Sequence, residues 1–208
     1  MRTAHPTVRP PKQRRSRESF ERVLDAARQL LEENGFDGFT VQEVAARANV
    51  SVGAIYERFG NKETLLHTVH ARLMETIAQF VDGQQAPVPA DVGELIDTLV
   101  GRVAATMSAH HAILRAFMHL AALDAVIAER GSLEIIALSR RFKAALRPHA
   151  AEFRHSDPEI ALDLAFRITY STLARQVMYG PLFESDVELG WDQLTGELAL
   201  ACRAYLLG

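Results

Sequence analysis

Apolar residues recur through most of this chain with the three- and four-residue spacing that places them on one face of a helix. Between residues 16 and 34 one such stripe begins at Phe20 and ends at Leu31. No stretch shows the two-residue alternation, bounded by turn residues, that indicates a β-strand. The pattern predicts an all-α fold of about nine helices without an internal repeat.

Capping signals predict two short helices near the amino-terminal end. Thr40 and Glu43 have the spacing of a capping box, in which the threonine oxygen accepts the Glu43 N–H and the carboxylate accepts the Thr40 N–H. This helix is predicted to end at Ala48, and after a tight turn Ser51 is predicted to cap a helix over 52–59. Helices of this length are marginal alone, so tertiary packing must hold both.

The later helices are delimited by similar signals. Ser156 with Glu159, and Ser185 with Glu188, have the spacing of two further capping boxes. Asp91 is expected to cap the helix that follows a loop rich in proline and glutamine. The predicted helical segments are 62–81, a helix from 91, 110–147 with breaks near 109 and 121, 157–179 and 185–207.

Positive charge is concentrated at the amino-terminal end. The first 28 residues hold eight basic and three acidic side chains, although the whole chain has a net charge of −3. Such an end suggests a polyanionic partner, and a solvated tail has the same composition. Residues 1–15 contain three prolines and no helical period, so they are predicted to form a disordered basic arm.

Several classes of protein are disfavoured by composition. No apolar run approaches the ~20 residues of a membrane-spanning helix. The first 19 residues lack the apolar core of a secretory signal. Cys202 is the single cysteine, which excludes an intramolecular disulfide and a cysteine-based zinc cluster. These features predict a cytoplasmic protein with no membrane partner.

Two short helices joined by a tight turn, after a longer helix, are typical of a helix-turn-helix motif. The second short helix of such a motif enters the major groove of double-stranded DNA. Unpaired N–H groups at the helix starts near Thr40 and Ser51 favour phosphate contacts there. Val52 and Gly53 are predicted to face base edges, because glycine allows a close backbone approach.

Side chains with donors for phosphate oxygens follow these helix starts. Tyr56 offers a phenol, Arg58 a fork of donors and Lys62 a point charge. Arg14 and Arg15 have two open interpretations, since they either enter the minor groove as an arm or stay solvated. The predicted interface therefore combines one helix, two helix starts and a basic arm.

An ordered set of motifs runs through residues 19–66, about a quarter of the chain. This segment resembles the DNA-binding domain of the tetracycline-repressor (TetR) family of transcriptional regulators. The motifs are Gly35-Phe36, Phe39-Thr40-Val41, Val44-Ala45, Ala48-x-Val50-Ser51-x-Gly53, Ile55-Tyr56-x-x-Phe59 and Asn61-Lys62-Glu63-x-Leu65-Leu66.

The resemblance implies a three-helix DNA-binding head over 16–62 and a six-helix body over 63–208 that dimerises and binds a small molecule. Tyr56 and Lys62 match phosphate-contact positions of the family. Arg58 departs from the family pattern, since an aromatic residue or histidine often stands at that position. Arg58 can still contact a phosphate, but the base preference of the family cannot be carried over to this position.

The helix predicted over 157–179 is apolar on more than one face, so it requires cover beyond one side of a core. In the family the last two helices form a four-helix bundle across a two-fold axis, and the resemblance implies a homodimer of this kind. The candidate dimer contacts are Leu173, Val177, Leu194, Leu198, Ala201 and Tyr205.

Aromatic, methionine and polar residues are mixed on the predicted sixth to eighth helices. This mixture favours an internal pocket for an aromatic or otherwise apolar small molecule, in which Arg167 or a histidine holds any acidic group. A plain helical core explains the same residues and stays open as the alternative. The candidate ligand contacts are Met107, His111, Phe117, Met118, His119, Phe142, Phe166, Arg167 and Tyr170.

The sequence contains no nucleophile elbow, phosphate-binding loop or dinucleotide-binding turn. Its clustered histidines lack the further ligands of a zinc site. We therefore predict no enzymatic activity, no metal and no cofactor. The predicted function is that of a sequence-specific transcriptional regulator, a repressor released from a near-palindromic operator by a small apolar ligand. The alternative is a helical small-molecule-binding or interaction module without DNA binding.

Overall fold

A computed structural model describes residues 7–8, 14–83 and 89–208 of the chain. Within these ranges every regular element is helical, which confirms the all-α prediction. Among the described helices, none combines the length and apolarity that a bilayer crossing requires. The elements are α1 (Arg14–Asn34), α2 (Val41–Ala48), α3 (Val52–Phe59), α4 (Lys62–Gly83), α5 (Val92–Ala109), α6 (His111–Ala121), α7 (Ala125–Leu146), a 3₁₀ turn (Arg147–Glu152), α8 (Pro158–Tyr179) and α9 (Trp191–Leu207).

The chain divides into two compact units. The first contains the described residues up to 78 together with 112–131, and the second contains 79–111 and 132–208. This division differs from the predicted boundary after residue 62, because sequence periodicity shows which helix faces are apolar and not where they pack. The amino-terminal unit is called the head below, and the other unit is called the body.

The apolar core of the head explains why residues 112–131 belong to this unit. Ile113, Phe117 and Leu120 of α6 are buried in the same cluster as α1, α2 and α3. Near the middle of this cluster the Phe20 and Phe59 rings stack with centroids 5.6 Å apart. The core therefore joins α1 to α3 directly and includes α6 beside the three helices that the sequence predicted.

The body is built around α5, α8 and α9, which pack against one another. Leu162, Leu173 and Leu206 are completely buried within it. Ion pairs lie at the edges of the packing, including Arg203 to Asp97 at 3.1 Å between α9 and α5. Exposed pairs of this kind contribute little stability, so apolar burial holds the body together.

Two predicted helix starts are corrected by the structure. Asp157, and not Ser156, caps α8, since its carboxylate accepts the N–H groups of Glu159 and Ile160 at 3.0 and 3.1 Å. Ser185 accepts the Val187 N–H at 3.1 Å in a local turn, and α9 begins six residues later at Trp191. A serine or aspartate can stabilise a turn as well as a helix start, so spacing alone does not separate the two.

The predicted disordered arm is also corrected where the structure describes it. Arg14 and Arg15 are already the first residues of α1. Val8 packs against the head core, and its N–H donates to the Thr68 hydroxyl at 3.2 Å. A single anchoring valine leaves no periodic signal, which is why the sequence did not reveal it. The rest of the predicted arm lies outside the described residues.

Candidate nucleic-acid interface

A three-residue turn sets the orientation of α3 relative to α2. Asn49 adopts a left-handed conformation with φ 52°, and the Val50 N–H returns to the Ala45 carbonyl at 3.0 Å. The Ser51 hydroxyl then caps α3 by accepting the Ala54 N–H at 3.1 Å. The turn and both short helices thus match the predicted helix-turn-helix.

The outward face of α3 presents the residues that were predicted to face DNA. Val52 is partly buried, Gly53 is exposed, and Tyr56 has 44% of its surface exposed. A Cβ atom built on Gly53 meets only the Ser51 Oγ, at 4.0 Å. Packing within the head therefore does not require glycine at this position.

Lys62 is held beside the start of α2. Its ammonium donates to the Phe39 carbonyl at 2.7 Å and lies 4.8 and 5.3 Å from the ring centroids of Phe36 and Phe39. An ammonium has three donors, so this bond leaves donors for a phosphate oxygen. Thr40 follows Phe39 directly, which brings the lysine and the α2 start into one place.

Thr40 forms half of the predicted capping box. Its side chain accepts the Glu43 N–H at 3.2 Å, as predicted. The Glu43 carboxylate accepts from the Thr40 hydroxyl at 2.7 Å, and this bond replaces the predicted bond to the Thr40 N–H. The short helix α2 therefore has a side-chain cap, and its first turn carries an acidic residue.

Arg58 has an internal partner that the sequence did not predict. One terminal nitrogen donates to the Ser16 carbonyl at 3.1 Å and the other to the Ser16 hydroxyl at 2.8 Å. Arg15 and Arg14 lie one and two residues before Ser16 and are exposed. Arg14 also pairs with Glu18 at 2.9 Å, a contact that bulk water weakens. Because residues 16 and 58 are 42 positions apart, only the folded chain brings them together.

The histidines of α4 form a buried polar cluster inside the head. His67 contacts the Asp124 carboxylate at 2.7 Å, and the His70 ring meets Phe117 edge-on with centroids 4.9 Å apart. Burial lowers the pKa of His70 to about 4. Among the described residues no group of three or more metal-ligating side chains comes together.

The candidate ligand contacts are divided between the two units, so the structure does not bring them together as one set. Phe117, Met118 and His119 belong to the head, where Phe117 is a core residue and His119 is exposed. The other six belong to the body: buried Met107, Phe142 and Phe166, half-buried Tyr170, and exposed His111 and Arg167.

Within the body three of these rings pack on one another. Phe142 meets Phe166 edge-on at 5.6 Å, and Phe166 stacks on Tyr170 at 5.9 Å. Burial raises the pKa of Tyr170 to about 12, which keeps its phenol neutral. Arg167 instead pairs with Asp163 at 2.6 Å and lines an open surface groove of about 480 Å³.

The candidate dimer contacts need a similar correction. Leu173, Val177 and Leu198 are buried inside the protomer, so they have almost no surface left for a partner. Leu194 and Tyr205 are partly buried, and Ala201 is exposed. Apolar side chains that α8 and α9 do leave exposed, and that were not predicted as dimer contacts, include Ile160, Leu164, Ile168 and Leu200.

The fold and the exposed α3 face define a class of protein, that of helical proteins with an amino-terminal helix-turn-helix. A family model described as bacterial regulatory proteins of the tetR family matches residues 23–69. A helix-turn-helix-type transcriptional regulator of Mycobacterium bovis is 31% identical over 155 residues, which cover 74% of this chain and 69% of that protein. The chain belongs to the TetR family of bacterial regulatory proteins.

Another protein sequence and two solved structures also resemble this chain. The fatty acid metabolism regulator protein of Bacillus subtilis is 25% identical over 122 residues, and the chain spans 59% of its length. A solved TetR-family transcriptional regulator from Rhodococcus sp. superposes with a TM-score of 0.69 at 14% identity, covering 92% of this chain and 100% of that chain. The solved fatty acid degradation regulator of Bacillus halodurans superposes with a TM-score of 0.65 at 21% identity, covering 91% of this chain and 95% of that chain. These two solved structures share the fold.

Proposed function

We propose that the protein is a transcriptional repressor that binds operator DNA through α3 and the start of α2. The observation that carries this proposal is the exposed α3 face, where Gly53 is free of internal packing and Tyr56 projects to solvent. Lys62 and the N–H groups near Thr40 and Ser51 would hold phosphates on either side of the groove. Such a protein acts where chromosomal DNA lies, in the cytoplasm.

Selection from a pool of random-sequence duplexes tests this proposal. We expect the wild-type chain to enrich a near-palindromic sequence with half-sites about one helical turn apart, or a multiple of it. Fluorescence anisotropy on the selected duplex should then show affinity at least ~10³-fold above that for unrelated DNA at the same salt concentration. No enrichment over unrelated DNA would refute the proposed function and favour a helical binding module without DNA recognition.

The proposed DNA-binding form is a homodimer, because two equivalent heads are needed to read a near-palindrome. Ile160, Leu164 and Ile168 follow one another at intervals of four residues on one exposed face of α8, and Leu200 is exposed on α9. A two-fold axis would bury these apolar side chains against their own copies. We assign the dimer contact to this face together with Leu194, Ala201 and Tyr205.

We further propose that a small apolar ligand releases the DNA by binding the body near Phe142, Phe166 and Tyr170. The rings pack on one another, so a ligand would have to separate them to bind there. Two relatives are named as regulators of fatty acid metabolism or degradation. Fatty acids are therefore the first compounds to test, with aromatic carboxylates second.

Ligand binding and DNA binding must be coupled reciprocally. A compound that acts through the body should weaken DNA binding by the same factor by which DNA weakens the compound's binding. Calorimetric titration of a fatty acid into free and DNA-bound protein measures one factor, and titration of the duplex into free and fatty-acid-bound protein measures the other. Phe166→Ala should abolish the response while leaving selected-duplex affinity unchanged, whereas an unaltered ligand affinity in this variant would place the pocket elsewhere.

A further inference from the structure

The helix α3, which is proposed to enter the major groove and is called the recognition helix below, carries an arginine whose donors point back into the head. Arg58 lies near the end of α3, and its guanidinium holds the carbonyl and the hydroxyl of Ser16 at 3.1 and 2.8 Å. Ser16 is the third residue of α1. One planar side chain thus joins the last turn of α3 to the first turn of α1, with a donor on each of two acceptors.

The first turn of α1 requires tertiary contacts of this kind to stay helical. It contains Arg14, Arg15 and Arg17 and no acidic residue. Cations at the amino-terminal end of a helix oppose its macrodipole, and the first N–H groups of a helix lack intrahelical partners. This turn would therefore fray unless tertiary contacts held it, and fraying would move Arg14 and Arg15 away from a fixed position.

A second contact supports the same junction one turn further along. The Phe20 ring stacks on Phe59, the residue that follows Arg58. The stack fixes the separation of the two helices, and the guanidinium bonds fix the beginning of α1 relative to α3. Arg14 and Arg15 are consequently exposed on a turn whose position follows that of the recognition helix.

We propose that Arg58 is a positioning residue, which sets Arg14 and Arg15 in register with α3 through its two bonds to Ser16. This proposal rests on the proposed DNA binding and extends it to how the basic turn is presented. Arg58 then contributes to affinity through the two other arginines. The energetic gain is preorganisation, since the helical turn that carries them need not be ordered at the moment of DNA contact.

A double-mutant cycle on the selected duplex tests the proposal. Arg58→Ala should weaken binding about tenfold, within the usual range for coupled groups, and Arg14→Gln/Arg15→Gln should weaken it similarly. With both changes combined, the loss should stay close to that of either alone. Arg58→Lys should behave like Arg58→Ala, because one ammonium keeps the charge and cannot bridge both acceptors in the same planar geometry.

Other measurements separate positioning from folding. Hydrogen exchange of the amides of residues 18–21, which donate to carbonyls of the first turn of α1, should speed up in Arg58→Ala and Arg58→Lys while the thermal midpoint of the body stays unchanged. Arg47→Ala is the matched control, since Arg47 also joins two head helices through a bidentate pair with Glu33 at 2.7 Å. That control should leave DNA affinity within about twofold of wild type.

Two results would overturn the inference. Additive losses in the cycle would show that Arg58 and the two arginines act independently. Wild-type affinity in Arg58→Lys would show that the charge of residue 58 contacts phosphate directly. Both results require a wild-type chain that binds the selected duplex, so they are distinct from a failure of the proposed function, in which no duplex is selected.

Discussion

Cationic side chains of the head are ordered by the protein itself. Lys62 donates to the Phe39 carbonyl, Arg58 to Ser16, and Arg22 to the Ala48 carbonyl at 3.1 Å. Each uses part of its donor set on backbone or hydroxyl oxygens and keeps its positive charge. A phosphate at Lys62 would therefore meet a side chain that has already lost much of its rotamer freedom, which reduces the entropy cost of binding.

At the residue scale, Lys62→Ala should weaken binding to every DNA sequence. If Lys62 neutralises one phosphate, the salt dependence of log K should fall by about 0.9 per monomer. Loss of the bond to Phe39 should also lower the free energy of unfolding by about 1 kcal/mol. Anisotropy titrations over a range of salt concentrations measure the slope. Lys143→Ala, which removes a cation of the body, should leave the slope unaltered, and an equal slope in both variants would exclude the Lys62 contact.

Gly53→Ala separates DNA contact from stability. The space beside Gly53 is open, and alanine favours a helix over glycine, so the variant should be about 0.5–1 kcal/mol more stable. The added methyl group would stand between α3 and the base edges, so affinity for the selected duplex should fall. Gly101→Ala in α5 is the control, because its Cβ also meets no atom within 4 Å. Equal DNA affinity in the two variants would show that Gly53 does not face DNA.

At the scale of elements, α4 carries buried polar groups that link its stability to pH. The Asp124 carboxylate accepts from the Val126 and Ile127 N–H groups at 2.9 and 3.2 Å and contacts His67. Burial alone would raise the pKa of Asp124, but these hydrogen bonds outweigh it and lower that pKa. His70 has no carboxylate contact of this kind and stays neutral through burial.

The head should therefore lose stability in mild acid. Because the folded pKa of His70 is about 4, below its ordinary 6.5, the unfolded state binds a proton first as the pH falls through this window. The loss should reach about 1.4 kcal/mol per pH unit between these values. Urea unfolding at pH 7 and pH 5 measures it, and His70→Phe should flatten the dependence while His119→Gln, at an exposed histidine, should not. An unchanged pH dependence in His70→Phe would contradict the assignment to His70.

At the scale of the whole molecule, exposed apolar residues on α8 set the expected assembly. Ile168→Glu would place a charge in the proposed two-fold interface and should dissociate the dimer, because an unpaired buried ion costs several kcal/mol. Sedimentation equilibrium at micromolar concentration measures the association. Leu182→Glu, at an exposed leucine beyond the end of α8, should remain dimeric. A wild-type monomer at this concentration would exclude the proposed DNA-binding form.

Leu173→Ala provides the complementary comparison. Its side chain is completely buried in the protomer, so truncation should reduce the free energy of unfolding by about 2–5 kcal/mol. The association constant of the folded fraction should change little. This contrast distinguishes a residue that holds one protomer together from a residue that joins two protomers.

Local sequence determined the helices of the head and the turn between them. Thr40 and Ser51 cap α2 and α3 as predicted, and Gly35 ends α1 with φ 67°. These signals are readable because a cap or a left-handed glycine acts within three or four residues of its own position. The same locality made the exposed α3 residues predictable, since they follow Ser51 directly in the chain.

Tertiary structure alone decided which faces meet and which polar groups pair. Apolar residues lie on several faces of α8, so the sequence did not show which face packs inside the protomer. Leu173 was therefore predicted to lie in the dimer interface, while Ile168, on the exposed face, was overlooked. Arg58 reaches Ser16 across 42 residues and Lys62 reaches Phe39 across 23, distances over which periodicity carries no information. Packing fixes such contacts because each depends on the relative positions of whole helices, which many distant residues determine together.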